Sequence, residues 1–165
     1  MNCARDSAAV SNYICLDTSV LVKVLAEEED SEKATALMQR IIQDRQLIVL
    51  PSFAWAEVGT VLRKKRRSND LSVRQADELW LEFRKFPGIE YLSDNLVMDS
   101  TYKISRYFNM ATLYDAAFLA VSEVVGERTG ESCEFWTADE KLINLLNGRR
   151  DYVRHLKEFS QISPT

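Results

Sequence analysis

Short apolar runs alternate with longer amphipathic segments along this chain, and that alternation constrains the fold more than any other feature. Tyr13–Leu16 (YICL) and Leu47–Leu50 (LIVL) are too short to form helices of their own and predict two buried strands. Ile89–Leu92 and Phe135–Trp136 predict two further strands, and Tyr152–Leu156 predicts a last one. Each of these runs is bounded by a segment of a different pattern.

The segments between the strands carry apolar residues three or four positions apart, as one face of a helix does. Ser72 and Gln75 have the spacing of a capping box, and Pro87-Gly88 ends the helix that they open. The predicted helices span residues 18–28, 32–44, 52–67, 72–86, 95–108, 113–125 and 138–146. Residues 126–132 (GERTGES) predict a surface loop. Strands that alternate with helices predict an α/β fold, a three-layer α/β/α domain with a mostly parallel central sheet.

The length of 165 residues predicts one domain. We expect it to span residues 13–159, with 1–12 as an N-terminal extension and 160–165 as a tail. No apolar run approaches the roughly 20 residues of a membrane helix, so we expect no membrane partner. The first residues lack the apolar stretch of a secretory signal. The three widely spaced cysteines form neither a disulfide framework nor a zinc knuckle, which predicts a cytoplasmic protein.

The net charge and the single histidine limit the catalytic chemistry that this chain can perform. The formal net charge is −4, so any nucleic-acid contact requires a local basic patch. The chain has a single histidine, His155. This excludes ribonuclease chemistry based on two imidazoles and a zinc site built on several histidines. Proton transfer and metal binding must therefore depend mainly on Asp, Glu and water.

Two carboxylates do not fit a predicted core. Asp17 directly follows the first strand, and ligands of parallel sheets bind beyond the carboxyl ends of the strands. Asp17 could instead only cap the helix that follows. On a helical wheel Glu57 lies at about 40°, inside the apolar arc between Phe53 at 0° and Val61 at roughly 80°. A carboxylate there requires a basic partner, a proton or a position at the rim.

Asp115 and Asp139 also lie at the start of predicted helices. Thr112 and Asp115 have capping-box spacing, which explains Asp115 by itself. Thr137 and Glu140 have the same spacing, so capping of the last helix does not require Asp139. If all four carboxylates pack around one point, they repel one another strongly. A hard divalent cation with oxygen ligands, Mg²⁺ or Mn²⁺, is the natural remedy.

Four segments occur in a recognisable order over about residues 13–146: YICLDTSVLV, PSFAWAEVGTVL, LYDAAFLAVSE and WTADEKL. In order and approximate spacing they resemble those of PIN-domain ribonucleases, and they look most like the VapC-type toxins of prokaryotic toxin–antitoxin pairs. The resemblance implies a parallel sheet flanked by helices and RNA cleavage that depends on Mg²⁺ or Mn²⁺. It also implies an antitoxin partner protein and a homodimer.

By this resemblance, Asp17 is the central metal ligand and Glu57 is the glutamate on the inward helix face. Asp115 and Asp139 match the remaining two acids of the family. We expect Asp17 and Asp115 to bind the metal directly, Asp139 to bind it through water or with a second ion, and Glu57 to orient or deprotonate the attacking water. Small polar residues that support the metal-bound water or the ligands are Thr18, Ser19 and Thr137.

A run of five basic residues ends the helix that carries Glu57: Arg63, Lys64, Lys65, Arg66 and Arg67. The run is a candidate RNA contact, because a row of cations can follow a phosphate backbone. It could instead be a solvated helix end whose cations complement the helix dipole. The three tryptophans, at positions 55, 80 and 136, are expected in the core rather than as platforms for bases.

The leading functional hypothesis is therefore an RNA endonuclease. The alternative is a catalytically inactive PIN-like module that binds RNA or protein. A haloacid-dehalogenase phosphatase needs a second aspartate two residues after the first, where this chain has Ser19. A receiver domain needs an acidic pair at the end of the first strand, and glycine loops that cradle nucleotides are absent.

Overall fold

The computed structural model describes residues 10–160 of the chain. Five strands form one sheet in which every neighbouring pair is parallel, in the order β3-β2-β1-β4-β5. The strands are β1 (Tyr13–Leu16), β2 (Leu47–Pro51), β3 (Ile89–Leu92), β4 (Glu134–Thr137) and β5 (Val153–His155). This confirms the predicted α/β class, and all five predicted strands are present within two residues of their predicted ends.

Seven α-helices connect and cover these strands in the described part of the chain. They are α1 (Thr18–Leu25), α2 (Ser31–Gln43), α3 (Ala54–Arg67), α4 (Val73–Arg84), α5 (Asn95–Tyr107), α6 (Tyr114–Thr129) and α7 (Glu140–Leu146). A short 3₁₀ helix follows β5 at Leu156–Glu158. The Ser72–Gln75 capping box is formed as predicted. Most of the predicted loop 126–132 is wrong, because α6 continues to Thr129 and ends only at Gly130, which has a left-handed φ of 73°.

The core is centred on β1, β4 and α6. Helix α6 is apolar almost all round and packs across β1, β2 and β4, with α5 alongside it. Helix α1 packs against β4, α2 and α3 in the other helical layer. Cys15 and Cys133 are buried free thiols within this core. The cytoplasmic location stays a prediction.

Sheet order places two strand ends side by side. The register pairs Leu16 with Trp136, so β1 and β4 end at the same level. The chain order reverses between these two strands, which is the point where parallel sheets usually bind ligands. The Asp17 N–H donates to the Trp136 carbonyl at 2.9 Å, which holds Asp17 at this edge.

The termini are described only in part. Residues 1–9 and 161–165 lie outside the described residues, so the predicted extension and tail remain predictions. The end of the predicted extension is attached to the domain, since the Asn12 backbone N–H donates to Glu131 at 2.8 Å. Within residues 10–160, no helix combines the length and the apolar character that crossing a bilayer would demand.

Candidate functional site

Asp17 is buried at the junction of β1 and α1. Its Oδ2 atom accepts hydrogen bonds from Ser19 Oγ at 2.6 Å and from Thr137 Oγ1 at 2.7 Å. The side chain makes no capping hydrogen bond to α1, although Asp17 occupies the N-cap position. Burial raises the pKa of this carboxyl, and the two hydroxyls oppose the rise. Capping therefore does not explain why an acid is present here.

The hydroxyls that hold Asp17 are themselves oriented by the backbone. Ser19 Oγ accepts from the Ala138 N–H, and Thr137 Oγ1 accepts from the Asp139 N–H, both at 3.0 Å. A hydroxyl has one proton to donate, and here both protons point to Asp17. These bonds join the end of β1 to the end of β4.

Glu57 lies in the first turn of α3 and is half-buried. Thr18 Oγ1 donates to its Oε2 atom at 2.7 Å, so Glu57 lies directly beside the start of α1. Burial raises its pKa, and the nearby charge of Asp17 raises it further. No lysine or arginine of the described chain forms an ion pair with Glu57.

Asp115 lies in the first turn of α6, half-buried. Burial raises its pKa to about 6, and the charges of Asp17, Asp139 and Glu57 contribute in that order. The capping box expected from Thr112 is not formed, because α6 begins one residue later than that spacing requires and its N-cap is Leu113. Asp115 therefore interacts with the other three acids rather than with its own helix end.

Asp139 caps the last helix, which the sequence pattern did not predict. It is the N-cap of α7, and its Oδ1 accepts from the backbone N–H groups of Lys141 at 2.8 Å and Leu142 at 3.2 Å. The capping box expected from Thr137 and Glu140 is wrong, since Thr137 is the last residue of β4 and its hydroxyl is bonded to Asp17. Asp139 thus combines capping with a place beside the other acids.

The four carboxylates line one open cleft of about 1000 Å³. Within residues 10–160 none of the four forms a salt bridge, so their charges are not neutralised by the protein. In the same range, no three side chains of the metal-binding types converge closely enough to share one ion. This spacing still suits Mg²⁺, which is commonly bound by one or two carboxylates and keeps several waters.

Comparison with known proteins identifies the family of this chain. The PIN domain family matches residues 14–145, a range that includes all four cleft acids. The chain belongs to the PIN domain family. No curated protein matches the sequence.

Two solved structures show what this PIN domain is similar to. PAE2754 from Pyrobaculum aerophilum is 16% identical, with 88% of this chain and 91% of that chain covered and a TM-score of 0.56. VapC20 from Mycobacterium tuberculosis, described as a toxin that cleaves the sarcin-ricin loop, is 18% identical over 68% of this chain and 83% of that chain, with a TM-score of 0.48. The likeness to PAE2754 is one of fold.

The basic run of this PIN domain divides between two faces of α3. Lys64 and Lys65 line the cleft, but Lys65 is paired with Glu28, which also contacts Lys23 at 3.5 Å. Lys64 has no ion-pair partner within the described chain. Of the other three, Arg63 and Arg67 face a second groove, and Arg66 lines neither the cleft nor that groove.

The three tryptophans were all expected in the core, and one of them is on the surface. Trp136 is buried and Trp80 is partly buried, as predicted, but Trp55 is 48% exposed. The wheel of α3 could have revealed this, because Trp55, Gly59 and Arg63 recur at four-residue spacing on one face. Glu28 was not singled out from the sequence, since its contact with Lys65 joins two distant segments.

Proposed function

We propose that this PIN domain is an endoribonuclease that hydrolyses RNA phosphodiester bonds with the help of Mg²⁺ or Mn²⁺. One observation carries the proposal: four carboxylates line a single cleft, and no lysine or arginine within residues 10–160 pairs with any of them. Burial and the charges of the other three acids raise the pKa of Asp115 to about 6. A divalent cation would relieve that repulsion.

The hydrogen bonds of each acid support a division of roles. Asp17 and Asp115 are the proposed direct ligands, because neither is used as a helix cap. Asp139 has one oxygen bound to the N-terminus of α7, which favours contact through water by its other oxygen. The donors are all oxygens, as hard cations prefer.

Glu57 is the proposed group that orients or deprotonates the attacking water. Thr18 holds its Oε2 atom, which leaves Oε1 to accept from water. Its raised pKa makes it a better proton acceptor than an ordinary carboxylate. When bound, the cation would lower the pKa of water and neutralise charge on the phosphate oxygens. Lys64, which pairs with no acid of residues 10–160, supplies a positive charge at the cleft for the incoming backbone.

The biological setting is proposed from the sequence motifs. Their likeness to VapC-type toxins suggests that the protein is the toxin of a toxin–antitoxin pair. It would bind a cognate antitoxin protein and form a homodimer. An inactive RNA- or protein-binding module is the second candidate. The observation that favours it is the spacing of the acids, since no three of the described metal-binding side chains converge on one point.

Induced expression of the wild type, Asp17→Asn and Asp94→Asn tests the proposal. Asparagine keeps an oxygen that can accept from Ser19 and Thr137, so the first variant removes charge while it preserves these contacts. Asp94 caps a helix outside the cleft and serves as the matched control. We expect growth arrest and new RNA 5′ ends with the wild type and Asp94→Asn only. Equal growth and identical RNA ends in all three cultures would refute nuclease activity.

A further inference from the structure

A second groove runs along α3 on the side away from the four acids. It lies between α3 and α4 and has a volume of about 570 Å³. The α3 face that borders it carries Trp55, Gly59, Arg63 and Arg67, which recur at four-residue spacing. The cleft face of the same helix carries Glu57 instead. One helix therefore separates an acidic cleft from an aromatic and basic groove.

The groove has a rigid wall and an exposed indole. Trp80 packs against Gly59 so closely that a Cβ atom on Gly59 would lie 3.2 Å from the Trp80 ring. The Arg84 guanidinium lies 6.0 Å from the centroid of the same ring. Trp55 is 48% exposed and lines this groove, so part of a large apolar side chain is available to a ligand there.

The charge of the groove selects an anionic ligand. Arg63, Lys64 and Arg67 line it, and within residues 10–160 none of them forms an ion pair or a side-chain hydrogen bond. Asp77 is the single acid among the lining residues. The neighbouring Lys65 is paired with Glu28 and does not line this groove. Three cations of the basic run that have no ion-pair partner in residues 10–160 therefore line the same groove as Trp55.

The groove is continuous with the acidic cleft. Ala56, Thr60 and Lys64 line both, so these three positions of α3 separate the groove from the cleft. A chain that crossed α3 at these positions would pass from the groove to the cleft that the four carboxylates line. Ala56 and Lys64 are eight residues apart, or roughly 12 Å along the helix.

We infer that the groove between α3 and α4 is a binding subsite for single-stranded RNA, in which a base stacks on Trp55 and the backbone phosphates contact Arg63, Lys64 and Arg67. Proteins that bind single strands combine these two elements, an aromatic platform and a positively charged groove. The inference rests on the proposed function, because it identifies how a substrate strand reaches the acidic cleft. It also specifies the substrate as unpaired, since a base in a duplex cannot stack on a side chain.

Binding of a fluorescein-labelled oligouridine of about 12 nucleotides, measured by anisotropy in EDTA, tests the subsite. EDTA prevents cleavage, so binding is measured apart from catalysis. We expect Trp55→Ala to weaken binding about tenfold. Tyr102→Ala, which removes a 60% exposed aromatic from α5, should bind like the wild type. Thermal unfolding of each variant identifies any loss of fold.

The double variant Arg63→Gln, Arg67→Gln provides a second test that does not depend on Trp55. Removing two phosphate contacts should reduce the slope of log Kd against log salt concentration by about 1.4. Arg74→Gln removes an exposed charge of α4 that pairs with Glu78 outside the groove, and it should leave the slope unchanged. Wild-type affinity and slope in both the Trp55 and the double variant would overturn the subsite.

The subsite and the proposed function can fail separately. RNA cleavage by the wild type, together with wild-type affinity and slope in both the Trp55 and the double variant, would overturn the subsite and leave the nuclease intact. Weakened binding by Trp55→Ala, together with no cleavage by the wild type in Mg²⁺ or Mn²⁺, would support the subsite and remove the nuclease.

Discussion

Asp94 and Asp115 both lie at helix starts, but their surroundings differ. Asp94 caps α5, with Oδ1 accepting from the Leu96 N–H at 3.0 Å, and its Oδ2 pairs with Arg128 at 2.7 Å. The Arg128 guanidinium lowers the pKa of Asp94. Asp115 has no basic partner within residues 10–160, and burial and three other acids raise its pKa to about 6.

The comparison separates acids that stabilise the fold from acids that the fold must tolerate. The charge of Asp94 is favoured by its partners, whereas the charge of Asp115 is opposed by its neighbours. Clustered groups with perturbed pKa values in a cleft are typical of functional sites. Stability is often sacrificed at such sites because activity requires the strained arrangement. The acids of the cleft are therefore better explained by function than by a contribution to the stability of this PIN domain.

The largest expected difference between the two acids is in RNA cleavage. Asp115→Asn removes a proposed metal ligand and should reduce the rate by at least about a hundredfold. Asp94→Asn should cleave at nearly the wild-type rate, because Asp94 lies outside the cleft. Single-turnover cleavage of labelled RNA in Mn²⁺ measures both rates. Comparable losses of cleavage rate in the two variants would contradict a specific role of the cleft acids in RNA cleavage.

Asp115 and Asp94 should change the free energy of unfolding in opposite directions as pH rises. An unfolded Asp has a pKa of about 3.9, whereas folding raises that of Asp115 to about 6. Between these pH values Asp115 binds more protons in the folded state than in the unfolded state. Its contribution to the free energy of unfolding therefore falls as pH rises from about 4 to 6. Asp94, with its lowered pKa, acts in the opposite direction, since its contribution is present above about pH 4 and is lost as pH falls below it.

Urea unfolding of metal-free protein, followed by tryptophan fluorescence at several pH values, measures this effect. Asp115→Asn should flatten the decline between about pH 4 and 6 and should be more stable than the wild type at pH 7. Asp94→Asn should retain the decline. The same pH dependence of stability in the wild type and Asp115→Asn would contradict the raised pKa of Asp115.

The smallest expected effect is on thermal stability through Asp94. Asp94→Ala removes the cap of α5 and the contact with Arg128, and should lower Tm by about 2–4 °C. Arg128→Ala should give part of this decrease, because it removes the ion pair and leaves the cap. Differential scanning calorimetry in EDTA measures both. An increase in Tm for Asp94→Ala would place Asp94 among the acids that the fold tolerates.

Much of the fold was predictable from local patterns. Short apolar runs such as Leu47–Leu50 could only be buried strands, and the capping box at Ser72 fixed a helix start. The end of α6 was predicted too early, because Gly126 lies inside the helix and the helix continues to Gly130. A glycine within a helix and one that ends it are alike in sequence, and packing decides between them.

The site was predictable in its members but not in its contacts. The wheel placed Glu57 inward because apolar neighbours surround it, and the motifs identified the three aspartates. The bond from Thr137 to Asp17 joins residues 120 positions apart, so no local pattern contains it. The start of α7 at Glu140 makes Asp139 the N-cap, two residues after the position that the Thr137–Glu140 spacing predicts. Trp55 was placed in the core because residue type predicts average burial and not the exposure of a particular face.

The most direct test of the central claim, that the acidic cleft binds a divalent cation at Asp17, is calorimetric titration of Mn²⁺ into the wild type, Asp17→Asn and Asp94→Asn. We predict that the wild type and Asp94→Asn bind Mn²⁺ with the same affinity, and that Asp17→Asn, which keeps an acceptor for Ser19 and Thr137, binds at least about tenfold more weakly. Equal Mn²⁺ affinity in all three proteins would contradict the account.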